Sequence, residues 1–223
     1  MNRKLAIWDV DGTLVDSRAS IYEAAKPVYA CIGRPEPAYD DVRQIVGLSL
    51  REGLMTLLPD LDQTQADQAV ASYKASFGAR VSQSGYIEPL YEGAGELLDS
   101  LRRDGWLIAM ATGKSRRGVD HIVRMHGWAD LFDSTHCSDD GPGKPHPAMV
   151  LEALRVLDVK PQDAIMIGDT AHDMRMAKAA GVYAQGVSWG FHTADEVLAG
   201  GADHVADDFA MLNNQLRLFS HTL

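Results

Sequence analysis

Residues 5–16 read LAIWDVDGTLVD, an apolar run that stops at two aspartates and a glycine. A run that is apolar at every position is typical of a strand buried on both faces of a parallel sheet. Side chains two positions apart in a strand point the same way, so we expect Asp9 and Asp11 to converge where this strand ends. Two carboxylates that close together repel each other unless a cation or a shared proton offsets the charge. Gly12 permits a turn and lets backbone N–H groups approach an anion, although Asp-Gly also marks an ordinary chain reversal.

The same pattern of a buried strand ending in polar residues recurs along the chain. We predict strands over residues 5–10, 107–111, 164–167 and 182–187, with weaker candidates at 132–137 and 204–206. Amphipathic helices are predicted between them, over 93–104, 115–127, 147–157 and 171–180. Alternating strands and helices indicate an α/β fold, a doubly wound parallel sheet with helices on both faces. In such folds ligands bind at the carboxyl ends of the strands, where each polar cluster falls.

Residues 16–88 break this alternation. They read as helices over about 17–32, 40–57 and 63–79, without a convincing strand. We call this segment the helical insert. We predict that it forms a cap domain, residues 16–88, inserted into a core domain of residues 1–15 and 89–223.

Two polar clusters carry groups that suit an anion. Thr112 and Gly113 follow the second predicted strand, where the threonine hydroxyl can donate to a phosphate oxygen or can begin the next helix as its N-cap. Lys144 lies in the sequence GKPHP, a stiff loop that leads into a helix. This lysine can pair with a phosphate or a carboxylate, and the alternative is a solvated loop lysine.

A further cluster suits a metal ion. Asp169 follows an apolar strand in the sequence GDTAHD, and Asp173 lies one helical turn further on. Carboxylate oxygens are the ligands that Mg²⁺ prefers. The alternative makes Asp169 a helix N-cap and Asp173 a first-turn acid favoured by the helix dipole.

The overall charge limits the class of partner. The 223 residues carry a formal net charge of -10, which disfavours nucleic acid and anionic membrane surfaces. A phosphorylated substrate would therefore need a local cation. The apolar run near the N-terminus is too short for a signal peptide or a membrane span. Two cysteines without a spacing motif favour a reduced, cytoplasmic setting.

Taken together, the clusters resemble a known superfamily. The order of DxDGTL at residues 9–14, then a threonine, a lysine and GDxxxD is similar to that of the haloacid dehalogenase-like (HAD) hydrolases. The resemblance covers nearly the whole chain, since the helical insert is similar to the α-helical cap that follows the first strand in many members.

The resemblance implies roles for these residues. Asp9 would attack phosphorus and form an aspartyl-phosphate, and Asp11 would protonate the leaving oxygen and later activate water. Thr112 and Lys144 would bind the transferring phosphoryl group, with Gly12 and Gly113 beside it.

The resemblance also implies a magnesium cofactor. Asp9, the backbone carbonyl of Asp11 and Asp169 would hold Mg²⁺. Asp173 would orient a water molecule on the ion.

The branches of the superfamily differ in a few residues. Dehalogenases lack the second aspartate, so Asp11 argues against that activity. Mutases similar to β-phosphoglucomutase use a cap histidine, and all eight histidines here lie at position 121 or later. Phosphonatases use a cap lysine, and the helical insert holds only Lys26 and Lys74, neither in an apolar setting that would lower its pKa.

A phosphatase of the phosphoglycolate phosphatase type therefore fits best, acting on a small phosphorylated metabolite. The segment VGLSLR at residues 46–51 resembles the cap loop that meets the active site in those enzymes. Arg51 could bind an anionic substrate there, or it could lie exposed at a helix junction. A phosphotransferase or mutase using the same intermediate and a non-catalytic HAD-like binding protein are the alternatives. The substrate and the oligomeric state stay open.

Overall fold

The computed structural model describes residues 3–220, so residues 1–2 and 221–223 of the predicted core domain lie outside the described residues. Within this range the core of the molecule is one six-stranded parallel sheet with the order β3-β2-β1-β4-β5-β6. The strands are β1 Leu5–Trp8, β2 Leu107–Thr112, β3 Ser134–Cys137, β4 Ala164–Gly168, β5 Tyr183–Val187 and β6 His204–Ala206. The strand order reverses direction at β1, between β2 and β4, which is where open α/β sheets bind ligands.

Helices cover both faces of this sheet. In chain order, the α-helices of residues 3–220, those of the helical insert included, are α1 Arg18–Cys31, α2 Tyr39–Gln44, α3 Leu50–Leu57, α4 Gln63–Val81, α5 Ala94–Arg103, α6 Arg116–His126, α7 Ala148–Leu157, α8 Ala171–Ala180, α9 Ala194–Ala199 and α10 Phe209–Ser220. In β1, Ala6 and Trp8 pack with α5, α6 and α10, whereas Leu5 and Ile7 pack with α7 and α8 on the opposite face. Both faces of the strand are fully buried, and the predicted doubly wound α/β fold is confirmed.

The helical insert contributes α1 to α4 and has an apolar cluster of its own, which includes Val28, Leu54 and Leu58. The prediction of one helix over residues 40–57 is wrong, because α2 and α3 are separate helices. Gly47 lies between them with a φ of +95°, a left-handed conformation that glycine adopts without strain and that interrupts a helix.

The helical insert is joined to the core through a first linker, residues 15–19, and a second linker, residues 86–92, which overlap its two ends and run side by side. The backbone N–H of Asp16 donates to the carbonyl of Pro89 at 2.8 Å, and that of Tyr91 donates to Leu14 at 3.0 Å. The chain therefore leaves and re-enters the core at one place, beside the carboxyl end of β1.

Candidate active site

A tight turn follows β1 and brings its acidic residues to the edge of the sheet. The strand ends at Trp8, two residues earlier than predicted, because the Val10 carbonyl accepts the backbone N–H groups of residues 13–15. Gly12 makes this turn with a φ of +80°. Asp11 lies in the turn with its side chain 12 % exposed and its Oδ1 atom 2.8 Å from Lys114 Nζ.

Asp9 lies at the centre of the site and is 1 % exposed. Its backbone N–H donates to the Ile167 carbonyl of β4 at 2.9 Å, which fixes it between the two central strands. Its Oδ1 atom lies 2.6 Å from Lys144 Nζ. Its Oδ2 atom is buried and has no hydrogen-bond partner among the described residues. One oxygen of Asp9 is therefore neutralised and the other is available to a ligand.

Lys144 is fully buried between two carboxylates. Its Nζ atom lies 2.6 Å from an oxygen of Asp9 and 2.6 Å from one of Asp173. Burial alone would lower the pKa of Lys144, but Asp173 and Asp9 hold this pKa above its usual range. The lysine is thus a fixed positive charge beside Asp9, and the alternative of a solvated loop lysine does not describe it.

Two hydrogen bonds orient the Asp169 carboxylate. Its Oδ1 atom accepts a hydrogen bond from the Thr13 hydroxyl and its Oδ2 atom accepts one from the backbone N–H of Phe191, both at 2.8 Å. A Cβ atom added at Gly12 or at Gly190 would overlap the Asp169 carboxylate. Glycine at both positions therefore leaves this carboxylate its space.

Asp173 combines the two roles that the sequence left open. It is the third residue of α8, where Thr170 is the N-cap, and the two side chains form a reciprocal capping box. Asp173 Oδ2 accepts hydrogen bonds from the Thr170 hydroxyl at 2.6 Å and from the Thr170 backbone N–H at 3.1 Å. Its other oxygen pairs with Lys144. The carboxylate is therefore a helix cap that also faces the site, whereas Asp169 is not the N-cap.

Asp9, Asp169 and Asp173 form a buried acidic cluster. One oxygen from each lies within 4.8 Å of the others. Burial raises the pKa of Asp9 to about 7, against the opposing effect of Lys144 and with a further rise from Asp173. Burial, followed by the charges of Asp9 and Asp173, also raises the pKa of Asp169 well above its usual range. A single lysine does not balance three carboxylates, and a divalent cation would.

The residues present fit such a cation. The three side chains of the cluster offer carboxylate oxygens, and Asp9 Oδ2 is a buried oxygen without a partner among the described residues. A cation bound there would favour the ionised form of each carboxylate and so lower the pKa of Asp9.

Thr112 and Gly113 lie at the carboxyl end of β2. Thr112 is fully buried, and its hydroxyl accepts the backbone N–H of Lys114 at 3.2 Å. The N-cap of α6 is Ser115, so the alternative of Thr112 as the helix cap is wrong. A Cβ atom on Gly113 would lie 2.8 Å from the Gly47 carbonyl oxygen of the helical insert. This glycine therefore marks a point where the insert meets the core.

Arg51 lies on the surface of the helical insert. Its guanidinium pairs with Asp67 at 2.6 Å, and its side chain is 43 % exposed. No polar contact joins it to Asp9 or Lys144 in the described part of the chain. A role for Arg51 in binding a substrate stays a prediction.

Two buried residues near Asp11 carry no role in the sequence analysis. Lys114 pairs with Asp11 and with Glu88, whose side chain is 2 % exposed. Lys114 directly follows the Thr-Gly pair, and that position is a signal that could have found it. Glu88 is a lone acid in a linker, and nothing in its sequence context indicates that it is buried.

A second polar contact joins the helical insert to the core, through α2. Arg43 of α2 pairs with Glu196 through both terminal nitrogens, at 2.7 and 3.2 Å, and also donates to the Phe191 carbonyl at 3.3 Å. Because Phe191 donates its own N–H to Asp169, this contact adjoins the acidic cluster.

The chain is similar in sequence to hydrolases and phosphatases. The family model described as haloacid dehalogenase-like hydrolase matches residues 6–187. A protein of Dickeya dadantii named "Probable phosphatase IndB" is 33 % identical, over 93 % of this chain and 91 % of its own length. A phosphoglycolate phosphatase of Psychrobacter arcticus is 28 % identical, over 97 % of this chain and 96 % of its own.

A solved structure shares the whole architecture. A haloacid dehalogenase-like family hydrolase from Streptococcus pneumoniae superposes with a TM-score of 0.82 at 25 % identity, covering 96 % of this chain and 98 % of its own. Across residues 3–220, no helix combines the length and the apolar character needed to cross a membrane.

Proposed function

Since the chain belongs to the haloacid dehalogenase-like hydrolase family and is a phosphatase of its phosphoglycolate phosphatase-like branch, we propose that it hydrolyses a small phosphate monoester. The reaction would pass through an aspartyl-phosphate on Asp9, with Mg²⁺ as cofactor. The observation that carries this proposal is the state of the Asp9 carboxylate. One oxygen is paired with Lys144, and the other is buried without a partner among the described residues. A carboxylate fixed in this way suits attack on phosphorus better than a solvated one does.

In the first step, a carboxylate oxygen of Asp9 attacks phosphorus and the bond from phosphorus to the ester oxygen breaks. Asp11 gives its proton to that oxygen, so the leaving group departs as a neutral alcohol. Asp9 now carries the phosphoryl group and Asp11 is ionised.

In the second step, a water molecule attacks phosphorus. Asp11 takes a proton from this water, and the bond from Asp9 to phosphorus breaks. Inorganic phosphate leaves, and both aspartates return to their starting states.

The other residues hold the phosphoryl group in place. We assign its binding to the Thr112 hydroxyl, the Lys144 ammonium and the backbone N–H groups near Gly12 and Gly113. Phosphoryl transfer depends mainly on positioning and on neutralising the charge of the phosphoryl oxygens. Lys144 supplies a fixed positive charge in a chain whose net charge is -10.

Asp9, the Asp11 carbonyl and Asp169 would hold Mg²⁺, and Asp173 would orient water on it. When bound, the ion would neutralise charge on the phosphoryl oxygens and on the carboxylates around them.

We propose further that the helical insert acts as a cap domain over a core of residues 1–15 and 89–223. The contact of Gly113 with the Gly47 carbonyl supports this, because it places residues 46–51 beside the end of β2. Arg51 of the same segment would contact an anionic substrate when the cap lies over the site. A cytoplasmic location is part of the proposal, since Cys31 and Cys137 are free thiols.

The test is release of phosphate from p-nitrophenyl phosphate and from 2-phosphoglycolate, each with Mg²⁺ and with EDTA. We expect activity with Mg²⁺, none with EDTA, and a loss of at least about 10³-fold in Asp9→Asn. Activity that is unchanged by EDTA, or that survives in Asp9→Asn, would falsify the proposed mechanism.

The phosphotransferase alternative uses the same intermediate and differs in the acceptor. Supplying glucose 1-phosphate and following both free phosphate and glucose 6-phosphate separates the two. A phosphatase releases phosphate, whereas a mutase forms the isomer with little release. The absence of histidine from residues 16–88 favours the phosphatase.

A further inference from the structure

A second buried lysine lies beside the reacting carboxyl groups and has no part in the mechanism above. Lys114 follows β2 by two residues, and its side chain is 9 % exposed. Its Nζ atom lies 2.8 Å from Asp11 Oδ1 and 3.3 Å from Glu88 Oε2. Lys114 therefore contacts Asp11, the proposed proton donor, directly, and the Glu88 carboxylate holds Lys114 in place.

Glu88 is held in place from its other side. Its Oε1 atom accepts a hydrogen bond from the Tyr86 hydroxyl at 3.1 Å, and that hydroxyl lies 2.9 Å from Ser20 Oγ. Ser20 belongs to α1 near the first linker, and Tyr86 and Glu88 belong to the second. The contacts of Lys114 thus lead from Asp11 to both ends of the helical insert.

The helical insert also covers this lysine. The ring centroid of Phe77, in α4, lies 5.8 Å from Lys114 Nζ, and Phe77 stacks on Tyr73 with their centroids 6.1 Å apart. Aromatic rings stabilise a nearby ammonium group and limit its access to water. Because lysine carries a point charge on a flexible stem, fixed partners of this kind are what give it a single position.

We propose that Lys114 is a positioning residue: anchored by Glu88, it holds the Asp11 carboxyl group so that the oxygen not bound to Lys114 faces the leaving-group oxygen of the substrate. The inference rests on the proposed function. Asp11 Oδ1 is buried, so the 12 % of the side chain that is exposed lies on its other atoms. A carboxyl group without this contact would rotate and would present its proton in the productive direction less often.

The test compares two esters that differ in their need for a proton. Nitrophenolate leaves without protonation, whereas the alkoxide of glycerol 2-phosphate needs it. The ratio kcat/KM reports formation of the aspartyl-phosphate, which is the step in which the leaving oxygen takes the proton. In Lys114→Met we expect kcat/KM to fall about 10- to 100-fold for glycerol 2-phosphate and less than about threefold for p-nitrophenyl phosphate.

Two further variants sharpen the result. Glu88→Gln keeps the shape of the side chain but weakens its pairing with Lys114. It should therefore lower kcat/KM for glycerol 2-phosphate relative to that for p-nitrophenyl phosphate, and combining it with Lys114→Met should lower this ratio little further. Lys74→Met, an exposed lysine of α4, is the matched control and should change neither ester. If Lys114→Met does not fold by circular dichroism, Glu88→Gln carries the comparison.

An equal loss on both esters would overturn the positioning role, because a structural defect or a lost substrate contact affects both alike. A loss confined to KM would overturn it as well. A wild-type protein inactive on both esters with Mg²⁺ would overturn the proposed function together with this inference.

Discussion

Replacing Asp9 by asparagine should stabilise the metal-free protein above neutral pH while abolishing its activity. In the folded protein the pKa of Asp9 is raised from 3.8 to about 7, mainly by burial. A carboxyl group whose folded pKa lies above its unfolded pKa weakens folding as the pH rises through that interval, since the folded state then binds more protons than the unfolded state. The change in pKa corresponds to about 4 kcal/mol as an upper limit. Asparagine keeps the shape of the side chain and carries no charge to bury.

The expected result is a difference between two curves of stability against pH. In EDTA, wild type and Asp9→Asn should be about equally stable near pH 4, and the variant should gain by up to about 4 kcal/mol by pH 8. Taking the difference removes the contribution of all other titrating groups that the substitution leaves unchanged. Urea unfolding followed by circular dichroism at pH 4, 5, 6, 7 and 8 measures it.

Magnesium provides the second arm of this experiment. A cation on the acidic cluster favours the ionised carboxylate, so Mg²⁺ should stabilise wild type at pH 8 by about 2–3 kcal/mol at a hundredfold excess over its dissociation constant. Asp9→Asn should show a much smaller gain. Parallel curves for the two proteins in EDTA, or equal stabilisation of both by Mg²⁺, would refute the reasoning.

Three further predictions concern Lys144, Gly113 and Arg43. In Lys144→Met the buried carboxylates lose their cation, so the free energy of unfolding should fall by about 3–5 kcal/mol in urea titrations at pH 7, and a loss below about 1 kcal/mol would contradict the account. Gly113→Ala should push the helical insert away from the core and lower kcat/KM at least about tenfold. Gly78→Ala is the matched control, because a Cβ atom added at Gly78 meets no other atom. Equal kinetics in both variants would argue against a functional contact at Gly113. Arg43→Ala should cost about 1 kcal/mol at pH 7, because its partner Glu196 is about one-third exposed. The pKa of Glu196 is lowered from 4.5 to about 2, chiefly by Arg43 and further by the Thr193 N–H and Gln44. The cost of Arg43→Ala should therefore shrink as the pH falls through that range, and a cost independent of pH would contradict the pairing.

The sequence predicted the fold well because its signals are local. Each central strand is apolar on both faces and ends in a polar cluster, so the positions of Asp9, Thr112 and Asp169 follow from the rule that strand ends meet at one edge. The helical insert was also visible from its helical pattern. The division of residues 40–57 into two helices was not, because it depends on the conformation of Gly47 where it meets the core.

The parts of the site that escaped the sequence depend on distant packing. The sequence predicted Lys144 as a site residue but left open whether it is paired or solvated, and its full burial between two aspartates exists only once the loop packs against the sheet. Glu88 has no motif of its own, and its contact with Lys114 needs the second linker to lie beside β2. The capping box of Thr170 and Asp173 shows the opposite case, in which a local signal and a role in the site coincide.

The most direct test of the account is to locate the covalent phosphate. Wild-type protein is mixed with Mg²⁺ and p-nitrophenyl phosphate, quenched in acid within the first turnover and reduced with borohydride, which converts an acyl phosphate on aspartate to homoserine. Peptide mass spectrometry should find homoserine at position 9 and aspartate unchanged at positions 11, 169 and 173. Homoserine at another of these positions, or product formed in the first turnover with no modified aspartate, would contradict a nucleophilic Asp9.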